Sequence, residues 1–316
     1  MALNIFRMQY EYCEIYKIYV DTLGINISKV NNIENIPFLP IEFFKTNTIT
    51  TTKFKPEIVF QSSGTTGENA SLHYVKHVSV YKESFMRGFN LFYGSPSKWC
   101  ILALLPGYPE RQNSSLVTMV DGLIKETNNK YSGFYLNSHE ELYRALADNE
   151  SREDNALLIG VTFALLDFAE KYSMDLRHTT VMETGGMKGR REEITREEIH
   201  KILGESLGVQ HIHSEYGMTE MLSQAYSNGK GLFQCPPWMK VLVREDNDPS
   251  AITACDGLQK PVHGFLNIID FANLYSCAFI ATDDIGKLYS DGSFEVLGRR
   301  DTSDTRGCSL LTAGDY

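Results

Sequence analysis

Between residues 57 and 213 the chain repeats one rhythm: a short apolar run, a loop rich in Gly, Ser or Pro, then an amphipathic stretch. The apolar runs fall at 57–61, 99–105, 156–160, 179–182 and 209–213. Helical spacing falls at 79–92, 138–146, 162–172 and 188–207. Near-continuous apolar runs suit strands covered on both faces, and the helices between them supply the cover. The expectation is an α/β fold with a largely parallel sheet flanked by helices. In such sheets ligands sit in loops beyond the carboxyl ends of the strands. From about Gln224 the rhythm gives way to short apolar runs at 239–243, 264–269, 278–281, 287–289 and 294–297, separated by turn residues. This predicts a β-rich subdomain over 224–316 at the C-terminal end of an α/β region over 1–223. Residues 1–23 carry Ile5, Tyr12, Ile15, Tyr16 and Tyr19 near helical spacing and predict an amphipathic helix packed on the body.

Composition closes off several classes of function. A net charge of −10 and no basic stripe argue against a nucleic-acid partner. No apolar run is long enough for a membrane span. Arg7, Glu11, Glu14 and Lys17 interrupt what would otherwise be a leader's apolar core. The cysteines at 13, 100, 235, 255, 277 and 308 lack paired spacing, so they read as reduced thiols of a cytoplasmic protein. His211 and His213 alternate on a strand, yet no further ligands stand at zinc spacing. A Ser/His/Asp hydrolase is not expected.

The strand at 57–61 runs into Gln61-Ser62-Ser63-Gly64-Thr65-Thr66-Gly67. Glycines let backbone N–H groups turn toward an anion, and hydroxyls add side-chain donors, which suits a polyphosphate. No Gly-Lys-Ser/Thr follows, so this is not the Walker pattern. Downstream, Arg111 lies in a loop after the 99–105 strand, and Ser114 stands where it can cap the next helix.

Four pieces now stand in one order: Ser-Ser-Gly-Thr-Thr-Gly at 62–67, Tyr-Gly-Met-Thr-Glu at 216–220, Thr-Asp-Asp-Ile-Gly at 282–286 and Gly-Arg-Arg-Asp at 298–301. Together they resemble the motifs of the adenylate-forming superfamily of acyl-CoA ligases, peptide-synthetase adenylation domains and luciferases. Glu110-Arg111-Gln112-Asn113-Ser114-Ser115-Leu116, Glu183-Thr184-Gly185-Gly186-Met187-Lys188-Gly189, Cys235-Pro236-Pro237-Trp238 and Asp304-Thr305-Arg306-Gly307-Cys308-Ser309-Leu310 look like one branch, the LuxE-type acyl-protein synthetases.

The resemblance implies ATP and Mg²⁺ as cofactors and a role for each matching position. Ser62, Ser63, Gly64, Thr65, Thr66 and Gly67 would hold the β- and γ-phosphates. Gly185 and Gly186 would lie against adenine, with Tyr216 and Gly217 near the base. Thr219 would contact the α-phosphate, Glu220 would carry Mg²⁺, and Asp284 would take the ribose hydroxyls. Arg299 would assist at ribose or phosphate. Attack by a carboxylate on the α-phosphorus builds charge on phosphate oxygens, so such a protein mainly positions and neutralises.

Two departures stand out. Gly67 is followed by Glu68-Asn69-Ala70 rather than Pro-Lys, and only a short tail follows Asp301, where larger ligases carry a small domain with a catalytic lysine. Either the half-reaction is slower, or another cation such as Lys188 or Arg111 substitutes, or a partner supplies it. The resemblance also implies that Cys308 receives the acyl group, with Arg299, Arg300 and Arg306 as nearby cations that lower its pKa. Arg111, Ser114 and Phe163 are expected along the pocket for the small-molecule carboxylic acid, a fatty acid by resemblance. The partner would be an acyl-accepting reductase or carrier protein. The alternatives are a ligase that uses CoA or a carrier together with a separate C-terminal domain, and an adenylate-binding module without chemistry.

Overall fold

The computed structural model describes residues 1–62, 70–107, 111–185, 194–246, 248, 250–257 and 259–300. Ser63, Gly64, Thr65, Thr66, Gly67, Gly186, Lys188 and Cys308, all expected at the site, therefore lie outside the described residues.

The opening segment forms α1 (Ala2–Tyr12) and α2 (Glu14–Thr22), not one helix, because Cys13 is extended at φ −102, ψ 100. The break lets Phe6 and Tyr16 meet edge to face at 6.2 Å and both reach Phe279. β1 (Leu39–Pro40), α3 (Phe43–Thr46), β2 (Ile58–Gln61), β3 (Leu72–Val75) and α4 (Val78–Tyr93) follow. The α/β rhythm then runs β4 (Cys100–Leu104), α5 (Ser115–Lys125), β5 (Gly133–Phe134), α6 (His139–Ser151), β6 (Ala156–Val161), α7 (Thr162–Ala169), β7 (Thr179–Thr184), α8 (Arg196–Leu207), β8 (Ile212–Tyr216) and β9 (Ala225–Ser227). The β-rich part holds β10 (Leu232–Phe233), β11 (Met239–Arg244), β12 (Ile252–Thr253), β13 (Val262–Asp270), β14 (Phe279–Leu288) and β15 (Phe294–Arg299).

The first large sheet has the order β5-β4-β6-β7-β8-β9, parallel except for β9. This is the expected flanked parallel sheet. Its inner strands β4 and β6 are buried along their whole length, as their unbroken apolar runs demand. At Gly160 a side chain would sit 2.8 Å from the Leu104 Cβ, so the close approach of β4 and β6 depends on that glycine. The helix expected from residue 188 is described from Arg196. Thr195 caps it, accepting from the Glu198 N–H while the Glu198 carboxylate accepts from the Thr195 N–H.

The second sheet is antiparallel around β11, β13, β14 and β15. The runs expected as separate strands at 278–281 and 287–289 belong to one strand, β14, so Thr282, Asp283 and Asp284 lie inside it. The polar triplet interrupts the apolar pattern without interrupting the ladder. β9 completes the parallel sheet, while α1, α2 and residues 30–49 bury their apolar faces with the second sheet. β1 adds to β14 in parallel, Leu39 beside Ile280. Each phenylalanine of this second core contributes roughly 1.5–3 kcal/mol by leaving water.

Candidate active site

The β2–β3 pair is closed at its open end by two hydrogen bonds. The Ser62 N–H donates to the Ser71 carbonyl at 3.1 Å, and the Ser71 N–H donates to the Ser62 hydroxyl at 2.9 Å. The chain enters and leaves residues 63–69 at this pair. The Gln61 N–H donates to the Asn113 carbonyl at 2.8 Å, which sets the turn before α5 beside the same place.

Glu220 lies on the other side of Ser71. It is 5% exposed, and burial pushes its carboxyl above the ordinary range; the Ser71 side chain and the charges of Arg299 and Lys45 oppose that shift. Among the described residues it has no ion-pair partner.

Asp284 stands across the sheet junction. Its Oδ2 accepts from the Tyr216 hydroxyl at 2.7 Å, and its Oδ1 lies 3.7 Å from Arg299 Nε. Asp284 and Arg299 are register partners on β14 and β15. Burial raises the Asp284 carboxyl against the lowering effect of Arg299 and Tyr216. Each carboxylate oxygen has lone pairs left for further donors. Ser62, Ser71 and Glu220 thus form one group and Tyr216, Asp284 and Arg299 another, and the charge of Arg299 bears on Glu220.

The motif around Glu220 is braced from below. Asp270 is fully buried and accepts from the Leu222 N–H at 2.7 Å and the Ser223 hydroxyl at 2.5 Å. The Ser84 and Ser223 hydroxyls are 3.2 Å apart, and Trp238 Nε1 donates to Ser84 at 3.0 Å. Cys235-Pro-Pro-Trp238 therefore supplies an aromatic anchor. Gly217 leaves room for Glu215, whose Oε1 would lie 2.5 Å from an added Cβ; Glu215 Oε2 accepts from the Thr184 hydroxyl at 2.5 Å.

The remaining expected residues are placed less tightly. Gly185 ends β7 with φ 75, a left-handed turn that favours glycine. The Thr219 carbonyl faces His73. Arg111 is exposed in the turn before α5, and Ser114 caps that helix, accepting from the Val117 N–H at 3.4 Å. Phe163 is buried in the parallel-sheet core.

Sequence reasoning assigned no role to Ser71, His73, Asp270, Asn273 and Lys45. None carries a motif of its own. Alternating burial over 71–75 was the one available signal, because Ser71, just before β3, and His73 and Val75 on it are buried while Leu72 and Tyr74 are half-buried. Gly204-Glu205-Ser206-Leu207-Gly208 spells a Gly-x-Ser-x-Gly pattern, but it closes α8 instead of joining a strand to a helix. Ser206 donates to the Ala169 carbonyl at 2.5 Å, so the serine is structural.

A family model described as "Acyl-protein synthetase, LuxE" matches residues 1–315. The chain belongs to the LuxE acyl-protein synthetase family. No curated protein matches it by sequence. Among solved structures, ATP-bound MatB from Rhodopseudomonas palustris is similar at TM-score 0.52 and 14% identity, over 79% of this chain and 50% of that one. A long-chain-fatty-acid-CoA ligase from Archaeoglobus fulgidus is similar at TM-score 0.52 and 15% identity, over 79% and 53%. This LuxE-family chain spans about half the length of those relatives. Such identities speak to fold, and the fold is the adenylate-forming one, with its β-rich part at the C-terminal end. Among the described residues no helix is long and apolar enough to cross a membrane.

Proposed function

We propose that this LuxE-family chain uses ATP to activate a carboxylic acid, a fatty acid in the first instance, as an acyl-adenylate and passes the acyl group to a protein thiol. The observations that support the reading are the buried Glu220 beside the Ser62/Ser71 pair and the Asp284–Tyr216–Arg299 group, whose arginine charge bears on Glu220.

In this reading Asp284 accepts the ribose hydroxyls, and Arg299 offsets negative charge beside it. Residues 63–67 supply N–H and hydroxyl donors to the leaving phosphates. Glu220 fits a divalent cation by its chemistry: it is a buried carboxylate with no ion-pair partner among the described residues. Those residues contain no group of three or more His, Cys, Asp or Glu able to hold a metal. Mg²⁺ asks for one or two carboxylates and completes its shell with phosphate and water. Bound there, the ion would neutralise phosphate charge during displacement. Thr219, next to it, faces the α-phosphate.

Cys308 is the proposed acceptor, and a fatty-acid reductase the proposed consumer of the thioester. The test is acid-dependent exchange of pyrophosphate into ATP across a panel of acyl and aryl acids, followed by intact mass. Exchange with long acyl chains plus a covalent acyl adduct is expected. Nucleotide binding without exchange would reduce the chain to an adenylate-binding module. Discharge of preformed acyl-adenylate by CoA would move it to the CoA-ligase class.

A further inference from the structure

Two side chains outside the sequence motifs hold the main chain of the Thr219 and Glu220 pair. His73 Nδ1 lies 2.8 Å from the Thr219 carbonyl oxygen. Asn273 Nδ2 donates to the Glu220 carbonyl oxygen at 2.7 Å. The two carbonyls are consecutive, so the peptide planes on both sides of the Glu220 Cα are pinned. Only the side chain of Glu220 is left to turn, and Ser71 faces it.

A carbonyl oxygen can only accept, so His73 Nδ1 must carry the proton. The ring is 1% exposed and packs edge-on to Phe44 at 5.9 Å between centroids, which fixes its plane. Asn273 is fully buried. Its own carbonyl accepts from Gln9 Nε2 of α1 at 2.8 Å, and its N–H donates to the Asp270 carbonyl at 3.1 Å. Both struts are therefore rigid at their far ends.

Ser71 stands just before β3 and His73 on it, both buried, and Ser71 is hydrogen-bonded to Ser62. One short stretch thus reaches Ser62, the side chain of Glu220 and the carbonyl before it.

We propose that His73 and Asn273 are positioning residues for Glu220, with the Nδ1–H imidazole and the carboxamide fixing the direction of its carboxylate. The role rests on the reading that Glu220 serves a nucleotide–magnesium complex. It acts through Glu220, and neither residue is assigned contact with substrate.

The amide nitrogen of asparagine sits close to where histidine places Nδ1, whereas that of glutamine sits nearer Nε2. In pyrophosphate exchange, His73→Asn should keep at least about a third of the wild-type kcat. His73→Gln and Asn273→Ser should lose roughly 10–100-fold in kcat or in apparent Mg²⁺ affinity, the usual cost of removing a partner behind a ligand. KM for the acid should stay within about twofold, because no acid contact is removed. Equal loss in His73→Asn and His73→Gln, or a loss confined to KM for the acid, would overturn the proposal.

A second measurement is independent of activity. ¹⁵N spectra of histidine-labelled protein, assigned by the resonance missing in His73→Asn, should show neutral His73 protonated at Nδ1. An Nε2–H tautomer would overturn the proposal even in an active enzyme. If wild type shows no exchange, the functional reading fails, and the tautomer still decides whether the strut exists.

Discussion

The hydroxyl of Tyr216, at the end of a parallel strand, donates to the buried carboxylate of Asp284 in the middle of an antiparallel one, at 2.7 Å. The two large sheets are joined at the atoms proposed to hold the ribose. Tyr216→Phe leaves a buried carboxylate short of a donor, at a cost of about 1–3 kcal/mol in stability. Losing that bond also raises the Asp284 carboxyl further, since Tyr216 now lowers it. KM for ATP should rise roughly 3–10-fold, and the acid limb of the pH–rate profile should move to higher pH. Exchange kinetics between pH 5 and 8 check both.

Glu220 is costly to the fold. Burial holds its carboxyl above the ordinary range, so just above that range the folded chain binds more protons than the unfolded one. Its contribution to stability therefore falls as pH rises through that window. Glu220→Gln should raise Tm by about 2 °C or more at pH 7.5, and the gap to wild type should close as pH falls. Exchange should drop on the order of 100-fold. A variant that loses both stability and exchange would count against the metal-carboxylate role.

Gly217 gives a sharper structural test. An added Cβ meets the Glu215 carboxylate at 2.5 Å, whereas at Gly88 the nearest side-chain atom is 3.9 Å away. Gly217→Ala should cost roughly 1–3 kcal/mol and weaken nucleotide binding. Gly88→Ala, inside α4, should be neutral or stabilising by about 0.4–1 kcal/mol. Thermal unfolding of the pair checks this.

Lys45 follows Phe44, which packs on His73, and its charge bears on Glu220 and Glu42. Arg111, one of the two cations expected from the sequence beside Lys188, is exposed in the turn before α5. Lys45→Ala should slow exchange roughly 3–10-fold, with Lys45→Arg in between. Arg111→Ala should change it less than about twofold. Comparable losses in both would show that the cation assignment is wrong.

Cys308 is the proposed acceptor. Cys308→Ser should keep pyrophosphate exchange within about twofold and lose the acyl adduct on intact mass. A full adduct in the variant would mean that another thiol accepts.

The parallel sheet was legible because its strands are buried on both faces and read as unbroken apolar runs, as in Ile101-Leu102-Ala103-Leu104. Tyr216, Glu220, Asp284 and Arg299 could be named as a candidate set because their residue types come in short motifs in a fixed order. β14 was not legible, since the polar Thr282, Asp283 and Asp284 break the apolar run that marks a strand. The split of α1 from α2 was hidden too, because it answers to Phe279, far along the chain. His73 and Asn273 hold carbonyl oxygens, and main-chain partners leave no spacing to read.

Gln9 donates to the Asn273 carbonyl and accepts from the Ala278 N–H, so α1 is tied to the connection between β13 and β14, more than 260 residues later. During synthesis the apolar face of α1 and α2 has no surface to lie against until β13 and β14 leave the ribosome. For most of translation that face is a target for chaperones and for aggregation. Yield in cells should therefore depend on how the nascent amino end is sheltered, and shortening the chain before β14 should fail through the first twenty residues as much as through the last.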